Sequence, residues 1–259
     1  MIDSHAHIAS EQFDSDRDQL ISLGQASGLI WIEVGTNLEE SKKAVALAEK
    51  HLNIFASVGV HPDDIISLQE EDWVTLEQLA MHKKVCAIGE VGFDTYRTGS
   101  ILDQEPVLRR FIALAQKTSK PTIFHVRSGN GVDAHKELIR VLQDFSDADR
   151  PKGVIHTFSG TMAQAQEYIA LGMMISFSGV ITFKNAGDLR EITKSIPLNS
   201  MLVETDCPFL TPEPFRGKRN EPSYVKYVIQ KIADIRGVPF EEIERSTEDN
   251  AKKIFALDF

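Results

Sequence analysis

Cysteine is almost missing from this 259-residue chain. Cys86 and Cys207 are the only two, too few for a disulfide framework or a thiolate metal motif. A reducing, cytoplasmic setting is the simplest expectation. No run of eighteen apolar residues exists, which argues against a membrane-spanning helix. The opening MIDSHAHIAS lacks the basic and apolar regions of a secretory signal, so export by that route is not expected. Positive charge is also short: 28 Lys and Arg against 38 Asp and Glu leave a net charge of −10. That excludes the basic footprint of a tight, nonspecific nucleic-acid binder. It does not exclude a nuclease, because bound metal ions can supply positive charge where only one or two phosphates are gripped. No Pro/Gly/Ser-rich linker, low-complexity tract or repeat divides the chain. One domain over residues 1–259 is expected, and nothing marks an obligate protein partner.

What is present is a rhythm. Short β-branched and aromatic runs fall at 1–3, 29–34, 54–58, 85–88, 122–124, 153–155, 173–177 and 201–203. Helix-like segments lie between them at 16–26, 38–51, 73–82, 104–118, 134–145 and 163–171, and two more close the chain near 223–235 and 240–256. In the fourth of these, Leu108, Phe111, Ile112 and Ala115 recur at the spacing of one helix face. Alternation of this kind predicts a parallel sheet covered by helices. Eight units in this length suit an α/β TIM (β/α)8 barrel, and no Gly-rich phosphate loop follows the first strand to favour a doubly wound sheet.

Polar residues gather where the strands end. The runs lead into Ser-His-Ala-His at 4–7, Gly-Val-His-Pro at 59–62, Gly-Glu-Val-Gly-Phe-Asp at 89–94, His-Val-Arg at 125–127, His-Thr-Phe-Ser-Gly at 156–160 and Glu-Thr-Asp-Cys-Pro at 204–208. In a TIM barrel the carboxyl ends of the strands converge on one mouth, where the fold places its chemistry. His5 and His7, two apart on a strand, point to the same side. A lone His-x-His is a weak sign of metal. Of the eight histidines, however, His5, His7, His61, His125 and His156 all sit at strand ends. His51, His82 and His135 lie in or beside helix-like segments and read as solvated or capping residues. Glu90 follows a buried-looking strand, where a carboxylate is costly without a positive partner; a rim ion pair is its bland explanation. Asp206 follows another apolar run and could be no more than an N-cap. Taken together, His5, His7, Glu90, His125, His156 and Asp206 form a candidate metal site of imidazoles and carboxylates.

These motifs, with ETDCPFLTP at 204–212 and RGKRNEP at 216–222, resemble those of the TatD family of metal-dependent deoxyribonucleases, within the amidohydrolase-like barrels. They span nearly the whole chain in the family's order. The resemblance implies two divalent ions, of magnesium, manganese or zinc. His5, His7, Glu90 and Asp206 would hold one ion, and Glu90, His125 and His156 the other, with Glu90 as the bridge. Four histidines with two carboxylates favour zinc or manganese over a mostly hydrated magnesium. The chain departs from the family pattern at Thr157, where Cys is common, at Cys207, and in the Thr-Tyr-Arg that follows Asp94.

The expected activity is hydrolysis of phosphodiester bonds by a metal-activated water, with DNA as substrate and single strands or ends as the favoured form. Glu90 and Asp206 are the catalytic candidates, Asp206 to orient or deprotonate the water. His61, Arg127, Arg216, Arg219 and Asn220 are candidates for substrate contacts, since Arg offers planar, bidentate donors to phosphate. For Arg127 a salt bridge with Asp94 or Glu204 is an equal alternative. Glu204 is a candidate partner for a metal-bound histidine. A metal hydrolase of esters, lactones or amides is the nearest rival, because fold does not fix substrate. A non-catalytic metal-bound scaffold is a more distant one, since a structural site needs fewer ligands.

Overall fold

The computed structural model describes residues 1–97 and 100–258. The chain runs β1 (Ile2–Ala6), α1 (Arg17–Ala26), β2 (Ile30–Val34), α2 (Leu38–Lys50), β3 (Ile54–Val58), α3 (Asp72–Ala80), β4 (Val85–Asp94) and α4 (Ile101–Thr118). It continues through β5 (Thr122–Arg127), α5 (Ala134–Gln143), β6 (Gly153–Ile155), α6 (Met162–Ala170), β7 (Met173–Phe177), α7 (Gly187–Ser195), β8 (Met201–Val203), α8 (Val225–Arg236) and α9 (Phe240–Phe255). The eight strands form one parallel sheet in chain order. A parallel bridge between Ala6 and Cys207 joins its two edges. At this seam His7 N–H donates to the Cys207 carbonyl and Asp206 N–H to the His5 carbonyl, each at 2.9 Å. The architecture is the (β/α)8 barrel that the alternation predicts.

Period-two alternation of side chains sorts the strands' residues into two layers. Ile2, Ile32, Phe55, Ile123, Val154 and Leu202 meet in one buried cluster. Only the interior of a barrel lets six strands contribute to one such group. Phe255 and Leu257, at the end of α9, close that cluster from below. Trp31, Ala56, Ile88, Phe124, Ile155 and Val203 instead face the helices, against residues such as Leu108, Phe111, Leu138 and Ile229. Each fully buried side chain of this size stabilises the fold by about 1.5–3 kcal/mol.

Three strands run further than their apolar runs. β1 reaches Ala6, β4 reaches Asp94 and β5 reaches Arg127, so His5, Glu90 and His125 lie inside strands rather than after them. Helix α7 has no counterpart in the sequence reading. Its GDLREITKS has only two large apolar residues, Leu189 and Ile192, too short a run to announce a helix.

His135 is a correction. It is buried on α5 rather than solvated. Its ring nitrogens lie 3.3 Å from the Tyr168 hydroxyl and 3.2 Å from Ser159 Oγ, so it pins α5 to α6. His51 and His82 do stand at element ends, with His82 paired to Glu49.

Two glycines make room for β4 in the sheet. Gly92 has φ 151°, and a Cβ there would lie 2.0 Å from the His125 carbonyl oxygen. A Cβ on Gly59 would lie 2.4 Å from the Gly89 carbonyl carbon and 2.8 Å from Glu90 N. Backbone cannot yield as a side-chain tip can. Gly59→Ala is therefore expected to destabilise the protein by about 3 kcal/mol in urea unfolding. Gly187→Ala, where nothing lies within 4 Å, should stay within about 0.5 kcal/mol of the parent.

Burial pushes the His135 pKa down from 6.5 to about 4. The unfolded chain therefore takes up this proton at a pH where the folded chain still excludes it. The stability that His135 contributes is complete above pH 6.5 and is lost as pH falls towards 4, about 2 kcal/mol of it by pH 5. His135→Asn should remove this part of the slope in unfolding curves at pH 7 and pH 5. An unchanged slope would show that His135 is not its source.

Candidate metal centre

The ends of β1, β4, β5, β6 and β8 deliver imidazoles and carboxylates to one point. β1 carries a register irregularity between Asp3 and Ala6, and β4 carries one between Ile88 and Val91; such bulges re-aim side chains. Asp3 accepts hydrogen bonds from Thr205 N–H at 2.8 Å, Thr205 Oγ1–H at 2.5 Å and His5 N–H at 3.2 Å. That buried carboxylate ties the first strand to the segment after the last.

Glu90 is the centre, with only 3% of its surface exposed. Its Oε1 lies 2.6 Å from His125 Nδ1 and 2.8 Å from His156 Nε2. Its Oε2 lies 3.2 Å from His5 Nε2 and 3.9 Å from His7 Nε2. On the outer side Asp206 Oδ1 lies 3.4 Å from His7 Nε2 and 3.6 Å from His5 Nε2. Burial alone would raise the Glu90 pKa, but His156 and His5 hold the carboxyl well below its usual range. Two sets, His5 with His7 and Asp206, and Glu90 with His125 and His156, each bring their ligand atoms within 4.8 Å of one another.

The donors suit divalent metal. His7 Nδ1 lies 2.9 Å from the Val34 carbonyl, which can only accept, so Nδ1 carries a proton and Nε2 would present a lone pair to a cation that displaces its proton. That lone pair faces His5 Nε2 at 3.1 Å, close to the separation of about 3.3 Å between two nitrogens on one tetrahedral ion. His125 Nε2 lies 3.2 Å from Asp94 Oδ2, leaving Nδ1 free to face Glu90. His156 Nδ1 lies 3.4 Å from Glu204 Oε1. Burial would raise Glu204, yet His156 and Ser176 Oγ–H hold it at about 2. Glu204 also accepts from Thr157 N–H and Oγ1–H, both at 2.6 Å. These bonds hold Thr157 at φ 40°, a backbone state that costs a β-branched residue about 1–3 kcal/mol.

Asp94 was not foreseen as a working residue. Its Oδ1 accepts from Tyr96 N–H at 2.8 Å and Arg97 N–H at 3.2 Å, while Oδ2 faces His125. Gln104 grips its backbone from α4 through two hydrogen bonds. The only sequence signal was its place at the end of a strand motif.

Of the residues expected to touch substrate, two line the cavity of about 530 Å³ over this site: His61 and Arg127. His61 Nδ1 accepts from Asp63 N–H at 3.1 Å, so Nε2 bears the proton. Burial and the neighbouring His125 lower its pKa to about 3, making it a neutral donor rather than a cation. Arg127 makes neither proposed salt bridge. Asp94 and Glu204 are committed to histidines, and the guanidinium stacks on Tyr96 with 4.0 Å to the ring centroid.

The structure does not bring the other three to this cavity. Asn220 is wholly buried, donating to the Thr205 and Phe209 carbonyls at 2.9 and 2.6 Å. Its amide protons are spent on the loop itself. Arg219 pairs with Asp16 and lies over Phe13. Arg216 stacks on Phe183 at 3.6 Å, and neither arginine lines the cavity. Arg97, in the Thr-Tyr-Arg segment after Asp94, does line it and pairs with Asp63 at 3.1 Å.

Comparison with known proteins agrees with this geometry. A family model described as TatD related DNase matches residues 2–256. The chain is 41% identical over 260 residues to the uncharacterized metal-dependent hydrolase YabD of Bacillus subtilis, covering 100% of both. It is 34% identical over 262 residues to the 3'-5' ssDNA/RNA exonuclease TatD of Cronobacter sakazakii, covering 98% of this chain and 97% of that one. The crystal structure of YJJV, a TatD homolog from Escherichia coli, superposes with TM-score 0.89 at 28% identity, covering 100% of this chain and 98% of that one. With strand-end ligands, barrel and relatives in accord, the chain belongs to the TatD family of metal-dependent hydrolases.

Proposed function

We propose that this chain hydrolyses phosphodiester bonds of single-stranded nucleic acid from an end, using two divalent ions. The observation that carries the reading is the position of the Glu90 carboxylate. One oxygen serves the His125–His156 side and the other the His5–His7 side. A relative 34% identical along its length bears the name 3'-5' ssDNA/RNA exonuclease, which supports the substrate.

His5, His7, Asp206 and Glu90 Oε2 would hold one ion, and Glu90 Oε1, His125 and His156 the other. When bound, such ions lower the pKa of water and polarise a phosphoryl oxygen. Manganese or zinc suits this nitrogen-rich set better than magnesium. The chain's own groups supply the rest. Asp206 is the one carboxylate of the six that keeps a distinctly open side, its side chain 13% exposed. From there it can orient the attacking water and take its proton. His61 Nε2–H would donate to a phosphoryl oxygen without bringing charge. Arg127, held flat by Tyr96, would offer paired N–H groups to the phosphate.

Nucleotide release from a short single-stranded DNA should stop with chelator and return with manganese. Asp206→Asn should keep the fold and lower turnover at saturating metal by about 10²–10⁴-fold. Hydrolysis confined to carboxylic esters or lactones would overturn the nuclease reading, and full activity in the variant would remove Asp206 from the mechanism.

Asp94 offers a finer test. Both sides of its carboxylate face donors: backbone N–H groups at Oδ1 and His125 Nε2–H at Oδ2. Asparagine must turn an NH₂ towards one of them. Asp94→Asn is expected to weaken one metal site by about 10–100-fold in calorimetric titration, while the melting temperature stays near the parent's.

A further inference from the structure

The mouth of the cavity carries an aromatic ring that the fold itself does not use. Among the described residues only two aromatic side chains are largely exposed, Tyr96 at 57% and Phe209 at 54%, and both stand at this mouth. Tyr96 supports Arg127. Phe209 lines the cavity beside Asp206, its ring centroid 6.4 Å from that of His7.

Phe209 does not hang on a loose loop. Its N–H donates to the Asp206 carbonyl at 2.9 Å, and its carbonyl accepts from the buried Asn220 amide at 2.6 Å. The next residue, Leu210, has its carbonyl oxygen so close to Gly179 that a Cβ there would lie 2.0 Å away. The chain thus fixes an apolar ring in water, at the metal site, on a backbone anchored at both polar atoms. Solvent-facing apolar rings gain little by folding, whereas a rigid ring pays little entropy on binding. Unpaired nucleobases stack on such rings, and because every base has a π-face the contact is indifferent to sequence. A paired base inside a duplex presents no free face.

We propose that Phe209 is a stacking platform for the unpaired base of the nucleotide at the scissile phosphate, with Arg127 on its Tyr96 support gripping the backbone across the cavity. This rests on the nuclease reading and adds its selection for unpaired strands. The platform also gives Asn220 its function: the buried amide aims the ring instead of touching the nucleic acid.

The test uses the manganese-loaded protein, a short single-stranded DNA, and the same strand with an abasic nucleotide at one end or the other. Wild type should cleave the intact strand about tenfold more efficiently, in kcat/KM, than the strand abasic at the attacked end. Phe209→Ala and Phe209→Leu should bring that ratio close to one, and Phe209→Trp should restore it. Leucine keeps an apolar cover over the site without a π-face, so it separates stacking from mere exclusion of water. The proposal is overturned if wild type does not discriminate between the strands, or if Phe209→Leu discriminates as wild type does. Cleavage of both strands with no base dependence overturns the platform alone. Cleavage of neither, with esters or lactones hydrolysed, overturns the nuclease reading and the platform together.

Discussion

A carboxylate buried in the mouth of a barrel is an expensive object, and the rest of this site is arranged around that cost. Glu90 is nearly sealed from solvent, and a charge so placed needs partners that are both close and oriented. Five imidazoles from the ends of four other strands approach its two oxygens. The carboxylate can therefore stay ionised, and the same crowding of nitrogen and oxygen donors makes a metal site. Strand β4 reaches this position only because Gly59 and Gly92 leave room for neighbouring backbone.

Around the inner donors lies a ring of fixed acceptors. The Val34 carbonyl faces His7, Asp94 faces His125 and Glu204 faces His156. The first two each accept a hydrogen bond from one ring nitrogen and turn the other nitrogen towards the centre, while Glu204 stands opposite His156 Nδ1 at 3.4 Å as a charge partner. The two acids in this ring also organise backbone outside it. Asp94 builds the turn that carries Tyr96 and Arg97, and Glu204 holds Thr157 in its costly conformation. Ligand geometry and the shape of the mouth thus share the same atoms, and a change at one reaches the other.

The inner donors were legible in the sequence for a physical reason. Strand period and the convergence of strand ends in a parallel barrel are rules of backbone geometry, so a His or Glu just past an apolar run already has an address. Residues whose roles depend on distant partners carried no such address. Asn220 and Arg219 look like members of a basic, substrate-facing loop until Thr205, Phe209 and Asp16 are seen to claim them. His135 looks solvated until Tyr168, 33 residues on, comes against it. Asp94 sat inside a recognised motif, yet its double acceptance was invisible without the turn after it. Helix α7 escaped because its nine residues hold only two large apolar side chains, Leu189 and Ile192, too few to stand out in so short a segment.

The seam of the barrel has a consequence for the chain as a polymer. β8 and β1 meet through a single bridge and a few hydrogen bonds, the narrowest join in a sheet otherwise built from neighbouring segments. His5 and His7 lie on one side of it and Asp206 on the other, about 200 residues apart. A cation gripped by all three would be a removable cross-link closing a very long loop, and the entropy of such closure grows with the logarithm of loop length. An ion held there would act as a drawstring on the whole barrel.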